Sequence, residues 1–573
     1  MKKILICIIA SSIFYFLFSI FSPKILADSI PNNKFGIHLA VPETQDLKDA
    51  AKLVNSSGGD WGYVTLVIQE NDRDKQKWQE VFDQLRELHL IPIIRLATKP
   101  EGEVWGRPTK DEINNWVNFL DSLNWVIKNR YIILFNEPNH GVEWGGEVDA
   151  YNYIDITKEY AKKLKEKNKD FFVMMAGFDA SAPSSPPNYQ DEYYFLNNIF
   201  EKISPQEFEE FFDGWVSHSY PNPGFSGTPF DYGRITVRGY LWELEVLKQF
   251  GVNKDLPVFI TETGWSSNKV NRETIASYIK SAFENIWLFD NRIMAVTPFV
   301  LNYQGEPFLN FSWKLLSSEI SDEQAFYPQY YMLQSIPKIK GDPEKEEKGN
   351  LSFTFPKELV AYSNYNFKLK IKNLGQAIWD KKDGYKLKID GDEVKFENFF
   401  SDLKDIRPNE EADVDFYIKT NSNFGQSKVK IVLIRNNKKV AEAPEWNFVI
   451  YPLPSLNFQT KLFPKLTSSG SDFEIQIFDN KERMVFSKKN LTVKNGKGIV
   501  TDIQNVALGE KYRVVILKPY YLPRQNYLIF KKEENKVAFK SMFPLDFNKD
   551  GKYNFFEFVD LLKKPALMKL LFP

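Results

Sequence analysis

Cysteine is nearly absent from this chain, and neither sign of charge is in surplus. The single cysteine among 573 residues, Cys7, sits in an N-terminal apolar segment, so disulfides and thiolate chemistry are excluded from all that follows it. Lys and Arg number 74 against 75 Asp and Glu. Without a basic excess there is no electrostatic footprint for nucleic acid. No glycine-rich phosphate loop follows the first apolar run. No Ser-His-Asp arrangement is suggested, and up to residue 338 no His/Cys/Asp constellation has the spacing of a catalytic metal site.

What is present is a globular composition, 43% hydrophobic and 26% charged, over a length that suits roughly two to four domains. Aromatics reach 15%, which fits either β-rich cores or platforms on which sugar rings stack. At the N-terminus, Lys2 and Lys3 precede an apolar run from Ile4 to Phe21, and Ala27 offers a small residue for cleavage. Residues 1–27 therefore read as a signal peptide, with retention as an N-terminal anchor the alternative. Cys7 follows Ile6 rather than a small residue, against a lipoprotein signal. The expectation is export, to a secreted or cell-surface location, with membrane or surface attachment only through this segment.

From residue 28 to 338, short apolar runs alternate with amphipathic helical stretches. The runs are 35–40, 61–68, 90–97, 131–138, 171–178, 211–220, 256–265 and 293–303. Their near-continuous hydrophobicity suits parallel strands covered on both faces. Trp78, Val81, Phe82, Leu85 and Leu88 share one helical face, as do Ile113, Trp116, Val117 and Leu120, the latter set introduced by a Thr109-x-x-Glu112 capping box. Eight strand–helix units over roughly 300 residues predict a (β/α)8 barrel, with a doubly wound open sheet as the competing arrangement. Residues 339–350 are charged and read as a linker. Period-two alternation then predicts a β-sandwich at 351–454, where Asn373, Gly375 and Trp379 resemble an Ig-like module. A second β-module is expected at 455–540 and a distinct unit at 541–573.

In such a barrel, chemistry belongs at the C-terminal ends of the strands. The polar residues closing the apolar runs are Arg95, then Asn136-Glu137-Pro138, then His218-Ser219-Tyr220, and Thr261-Glu262-Thr263-Gly264-Trp265. Of four histidines, three (His38, His140, His218) fall at these ends. A Glu before Pro is commonly a solvated turn. Glu262, however, shares the parity of Val258 and Ile260 in a buried run, and a buried carboxylate is costly unless it is paired. Burial also raises a carboxyl pKa. Two carboxylates at one barrel end fit glycosidic bond cleavage, where one protonates the leaving oxygen and the other attacks the anomeric carbon or activates water.

On "FNEPN" and "ITETGW" the chain resembles the clan A retaining glycoside hydrolases, the cellulase-like (β/α)8 enzymes with glutamates ending strands four and seven. That resemblance covers about 300 residues. It implies a retaining double displacement on a carbohydrate substrate, with Glu137 as general acid/base and Glu262 as nucleophile, and no cofactor for catalysis. It further implies that Asn136 bonds the sugar 2-hydroxyl, Tyr220 holds the nucleophile with His218 beside it, and Arg95 orients and ionises Glu262. Trp265 and Trp313, and less so Trp105, are candidates for stacking on sugar rings or for core packing. His38 and His140 are candidates for substrate contact or for structural histidines. A non-catalytic carbohydrate-binding protein and a transglycosylase are the rival functions.

Near the C-terminus, "DFNKDGKYNFFE" places Asp546, Asn548, Asp550, Gly551 and Glu557 at the ligand and turn positions of a calcium loop, with Lys552 offering its backbone carbonyl. The stretch resembles one half of a dockerin. Its single copy argues against a cohesin partner and for a structural calcium clip.

Overall fold

The computed structural model describes residues 33–320, 325–390, 396–401, 403–465 and 468–570. The predicted signal or anchor at 1–27 lies outside the described residues. Among the described residues, no helix is long and apolar enough to cross a membrane. The chain forms two compact units that part between Glu346 and Glu347.

In the first unit, every one of the eight apolar runs becomes a strand. These are β1 (Gly36–His38), β2 (Gly62–Gln69), β3 (Leu90–Ala97), β4 (Arg130–Leu134), β5 (Phe171–Met175), β6 (Trp215–His218), β7 (Val258–Glu262) and β8 (Ile293–Val296). Strands β1 to β5 pair in chain order in one parallel sheet, and β6 to β8 in another. Parallel bridges Met174–Gly214 and Phe35–Val296 join the two sheets at both seams, so the strands close into a (β/α)8 barrel. Helices follow the strands: α1 (Thr44–Val54), α2 (Lys75–Glu87), α3 (Ile113–Asp121), α4 (Ala150–Lys167), α5 (Glu192–Phe200), α6 (Pro205–Phe211), α7 (Gly239–Gln249), α8 (Arg272–Ala282) and α9 (Pro328–Ser335).

Helix α2 buries Trp78, Val81, Phe82 and Leu85, and α3 buries Ile113, Trp116, Val117 and Leu120, as their spacing requires. The capping box expected before α3 does not form. Thr109 makes no side-chain cap bond, and the Glu112 carboxylate is taken by Arg73 at 2.6 Å and Asn115 at 3.1 Å. A charged partner on a neighbouring segment outbids the backbone N–H groups. The box that does form is Ser204 with Glu207, opening α6.

Inside the barrel, Tyr63, Tyr131, Phe172 and Phe259 from β2, β4, β5 and β7 meet edge-on or tilted at centroid distances of 5.1–6.3 Å. This aromatic layer plugs the barrel, so the room left for a ligand lies at the strand ends. A Thr65–Thr297 hydroxyl pair, 2.8 Å apart, satisfies the polar atoms buried there.

The second unit is built of mostly antiparallel sheets. Two of them, carrying Asn364–Asn373 and Glu411–Thr420, and Gly425–Arg435 and Trp446–Tyr451, enclose one hydrophobic core that includes Leu369, Phe416, Ile431 and Phe448. Asn373, Gly375 and Trp379 build a corner of it. The buried Asn373 amide donates to the Ala377 and Ile406 carbonyls and accepts from Gly375 N at 2.9 Å. Further sheets around Gly470–Phe478 and Lys511–Lys518 enclose a second core with Ile475, Ile477, Val514 and Ile516. A helix, Phe555–Lys563, follows the acidic loop near the chain end.

Candidate active site

The run Tyr131–Phe135 ends in a strained turn. Beyond Leu134 the backbone leaves strand geometry, with φ +74° at Phe135 and +28° at Glu137. Side chains rarely occupy this left-handed region, and such strain gathers at functional sites. The turn delivers Asn136 and Glu137 into a cavity of about 330 Å³. Arg95, Asn136, Glu137, His140, Tyr220 and Glu262 all line it.

Glu262 ends β7, opposite His218 of β6 across a register shift in the pairing. Such an irregularity re-aims side chains. Its Oε1 accepts from an Arg95 guanidinium N–H, and its Oε2 accepts from the Tyr220 hydroxyl at 3.1 Å. The same Arg95 nitrogen donates to Asn136 Oδ1 at 2.7 Å, which fixes the Asn136 amide with its NH2 away from the guanidinium. His218 Nδ1 lies 2.7 Å from Glu137 Oε1 and 3.9 Å from Glu262 Oε2. One ligating atom from each of these three residues lies within 4.8 Å of the other two.

Electrostatics hold Glu262 ionised. Burial pushes the Glu262 carboxyl up, but His218 and Arg95 outweigh it and hold it down at about 2. His38, whose Nε2 is 3.9 Å from Glu262, adds no charge at neutral pH. Burial and then Arg95 push its own pKa to about 3. For His218, burial opposes protonation, yet Glu262 and Glu137 raise its pKa. His218 thus faces Glu137 with its protonated form favoured, while Glu262 stays anionic.

Glu137, His218 and Glu262 also have the donor types of a metal site, a convergence that strand spacing did not reveal. Glu262 already accepts from Arg95 and Tyr220, however, and a guanidinium against the carboxylate opposes a bound cation. The set suits acid–base and nucleophilic work better.

The expected tryptophans divide differently from their sequence placement. Trp265 is buried, its indole N–H donating to Gly227 O at 2.7 Å, and Trp313 is buried in the barrel core. Neither lines the cavity. Trp105, on a short hairpin after β3, does, together with Phe225, Phe299, Phe308 and Phe311. The phenylalanines lie in loops without periodicity, and only their number after β6 and β8 hinted at them. His140 lines the cavity with Nε2 2.9 Å from Asp179, whereas His38 is enclosed against Phe299. Sequence reasoning also missed Glu143, Asp179 and Gly177. A Cβ on Gly177 would stand 2.3 Å from His218 Cδ2, so this glycine leaves the space that His218 fills.

At the C-terminal loop, Asp546 and Glu557 are buried and Asp550 is exposed, with one oxygen of each within 4.8 Å of the others. Gly551 turns at φ +78° and donates to Asp546 Oδ1 at 3.2 Å. Glu557 Oε2 accepts from Asn548 N at 3.1 Å and from Phe547 N, while its buried Oε1 has no hydrogen-bond partner among the described residues.

No protein-family model matches the sequence, and no curated protein does. Among solved structures, the chain is similar to a family 39 glycoside hydrolase from Bacteroides cellulosilyticus WH2, at 14% identity and TM-score 0.37 over 68% of this chain and 82% of that one. It is also similar to the catalytic domain of a family 26 endo-β-1,4-mannanase from Bacillus sp. JAMB-750, at 16% identity and TM-score 0.36 over 53% and 85%. A family 51 α-L-arabinofuranosidase from Bifidobacterium longum aligns over 83% and 95%, at 9% identity and TM-score 0.35. At such scores these likenesses bear on no residue's role.

Proposed function

We propose that the first unit is a glycoside hydrolase that cleaves O-glycosidic bonds of a poly- or oligosaccharide with retention of configuration. The observation carrying this reading is the pair of strand-end carboxyls, Glu137 and Glu262, bridged by His218 at the rim of an aromatic-lined cavity. Retaining enzymes need carboxyls about 5–5.5 Å apart, against roughly 6.5–9.5 Å for inversion. Oxygens of Glu137 and Glu262 within 4.8 Å of each other support the shorter class.

In this mechanism Glu262, ionised and aimed by Arg95 and Tyr220, attacks the anomeric carbon. Glu137 gives its proton to the departing glycosidic oxygen, and His218 is the group that exchanges a proton with it. Water then enters, Glu137 takes its proton, and the glycosyl–Glu262 bond breaks. With one hydrogen turned to Glu143, the Asn136 NH2 keeps the other to donate to a sugar hydroxyl beside the reacting carbon, a bond that strengthens towards the transition state. Trp105 and the phenylalanine rings offer faces for sugar rings. Export of the protein is proposed from residues 1–27. The loop 546–557 is proposed to hold calcium through Asp546, Asn548, Asp550, the Lys552 carbonyl and Glu557. The orphaned Glu557 Oε1 supports this assignment, because a buried carboxylate oxygen without a partner costs free energy that a cation would offset.

The test is turnover of a broad panel of aryl glycosides and oligosaccharides, with the first-formed anomer followed by NMR. Retention in the wild type, and loss of turnover in both Glu137→Gln and Glu262→Gln, are expected. No hydrolysis across the panel, or an inverted first product, would sink the reading.

A further inference from the structure

Four carboxylates line the cavity: Glu137, Glu143, Asp179 and Glu262. Three of them face a basic partner: Glu262 has Arg95, Glu137 has His218, and Asp179 has His140. Glu143 is different. Among the described residues no lysine, arginine or histidine lies within ion-pair distance of it, and its carboxyl is met by the Asn136 amide. Nor does the cavity hold a spare cation. Its lining contains no lysine, and its one arginine, Arg95, is committed to Glu262 and Asn136. Burial raises the Glu143 carboxyl and Glu137 raises it further, to about 7, against the weaker pull of Arg95 and Asn136. A carboxyl in that state lacks a counter-charge.

We propose that Glu143 reads the charge of the sugar, so that the cavity takes a sugar bearing a protonated amine in preference to a neutral sugar and rejects a uronate. An ammonium group reaching Glu143 supplies the missing cation and draws its carboxyl into the ionised form. A uronate would add a further negative charge among four carboxylates with no uncommitted cation to receive it. Glu143 sits on the short helical turn Gly141–Glu143, lines the same cavity as Glu137 and feels its charge. The amine it reads therefore belongs to the sugar ring beside the cleaved bond.

This inference rests on the cavity being a sugar site. Its test is binding, not turnover, so that it is separable from hydrolysis. The full chain carrying Glu137→Gln is titrated at neutral pH with the methyl glycosides of glucosamine, glucose and glucuronic acid. The amino sugar should bind about fivefold or more tighter than glucose, as one partly desolvated ion pair allows, and the uronate least. Adding Glu143→Gln, which keeps the shape of the side chain, should bring the amino and neutral sugars within about twofold of each other, since the charge term is then gone. Equal binding of amine and neutral sugar to the first protein overturns the role of Glu143 and leaves the hydrolase reading standing. A preference that survives Glu143→Gln does the same. Binding of none of the three overturns both.

Discussion

His218 Nδ1 stands 2.7 Å from Glu137 Oε1, a contact made from a wholly enclosed imidazole to a carboxyl at the cavity wall. The ring has its place because Gly177, just beyond the end of β5, lacks a Cβ. One histidine thereby touches the proposed proton donor, and its charge helps keep the proposed nucleophile ionised.

Gly177→Ala should therefore cost activity without touching either glutamate. The new methyl group would stand 2.3 Å from His218 Cδ2, so the ring must move and the contact with Glu137 loosens. A displacement of that kind costs about 100-fold in kcat/KM. Steady-state kinetics alongside a thermal melt would check it. A variant that melts normally and keeps full kcat/KM would show that His218 does not position Glu137.

Arg95 should control the acid limb of the pH profile. The Glu262 carboxyl lies below its ordinary 4.5, at about 2. The stability it contributes is therefore fully present above 4.5 and is lost as pH falls through about 2. Arg95→Leu removes a cation from the carboxylate, which raises its pKa by roughly 1–3 pH units. The acid limb of kcat/KM should move to higher pH by that amount. Arg95→Lys retains the charge but not the paired bonds to Glu262 and Asn136. Its limb should stay low while kcat falls. An acid limb unmoved by Arg95→Leu would separate Arg95 from the ionisation of Glu262.

Much of this was readable from sequence because parallel strands of a closed barrel are buried on both faces. Such strands leave continuous apolar runs, and all eight did so. The strand-end rule then pointed to Arg95, Asn136, Glu137, His218, Tyr220 and Glu262, which the structure brings together around one cavity or beside it. What the rule could not reach are residues placed by irregular backbone. Phe135 and Glu137 sit at positive φ, so period-two reckoning fails past Leu134, and Glu143 enters the cavity from a turn with no periodic signal. Trp265 directly follows the β7 motif yet points into packing, because Gly264 at φ +150° redirects the chain between them. Thr109 and Glu112 had the spacing of a capping box, but Arg73, 39 residues earlier in sequence, captured the carboxylate.

The tryptophans should separate binding from packing. Trp105 is half-buried at the cavity wall, so Trp105→Ala should leave the melting temperature nearly unchanged. It should raise KM about fivefold, the worth of an aromatic stacking contact of about 1 kcal/mol. Trp265→Ala and Trp313→Ala remove enclosed rings and should each cost about 3–5 kcal/mol of stability. Denaturant unfolding and steady-state kinetics on the three variants would check the division. If Trp265→Ala raised KM while unfolding like the wild type, its assignment to packing would be wrong.

Calcium should act on the second unit and leave the chemistry of the first untouched. Among the described residues Glu557 Oε1 is buried without a hydrogen-bond partner, and Asp546, Asp550 and Glu557 bring carboxylate oxygens within 4.8 Å of one another. Repulsion among these carboxylates destabilises the loop until a cation joins them. An ion that binds only the folded loop adds about 2.7 kcal/mol when its concentration is 100 times Kd. Calcium should therefore raise the melting temperature of the second unit, with heat evolved or absorbed in a calorimetric titration. Glu557→Gln should abolish both responses, and it should itself melt no lower than the calcium-free wild type, because one of the repelling charges is gone. Neither a titration heat nor a melting shift in about 1 mM calcium, the weak end of known loop affinities, would reduce the loop to an acidic turn ahead of a short helix.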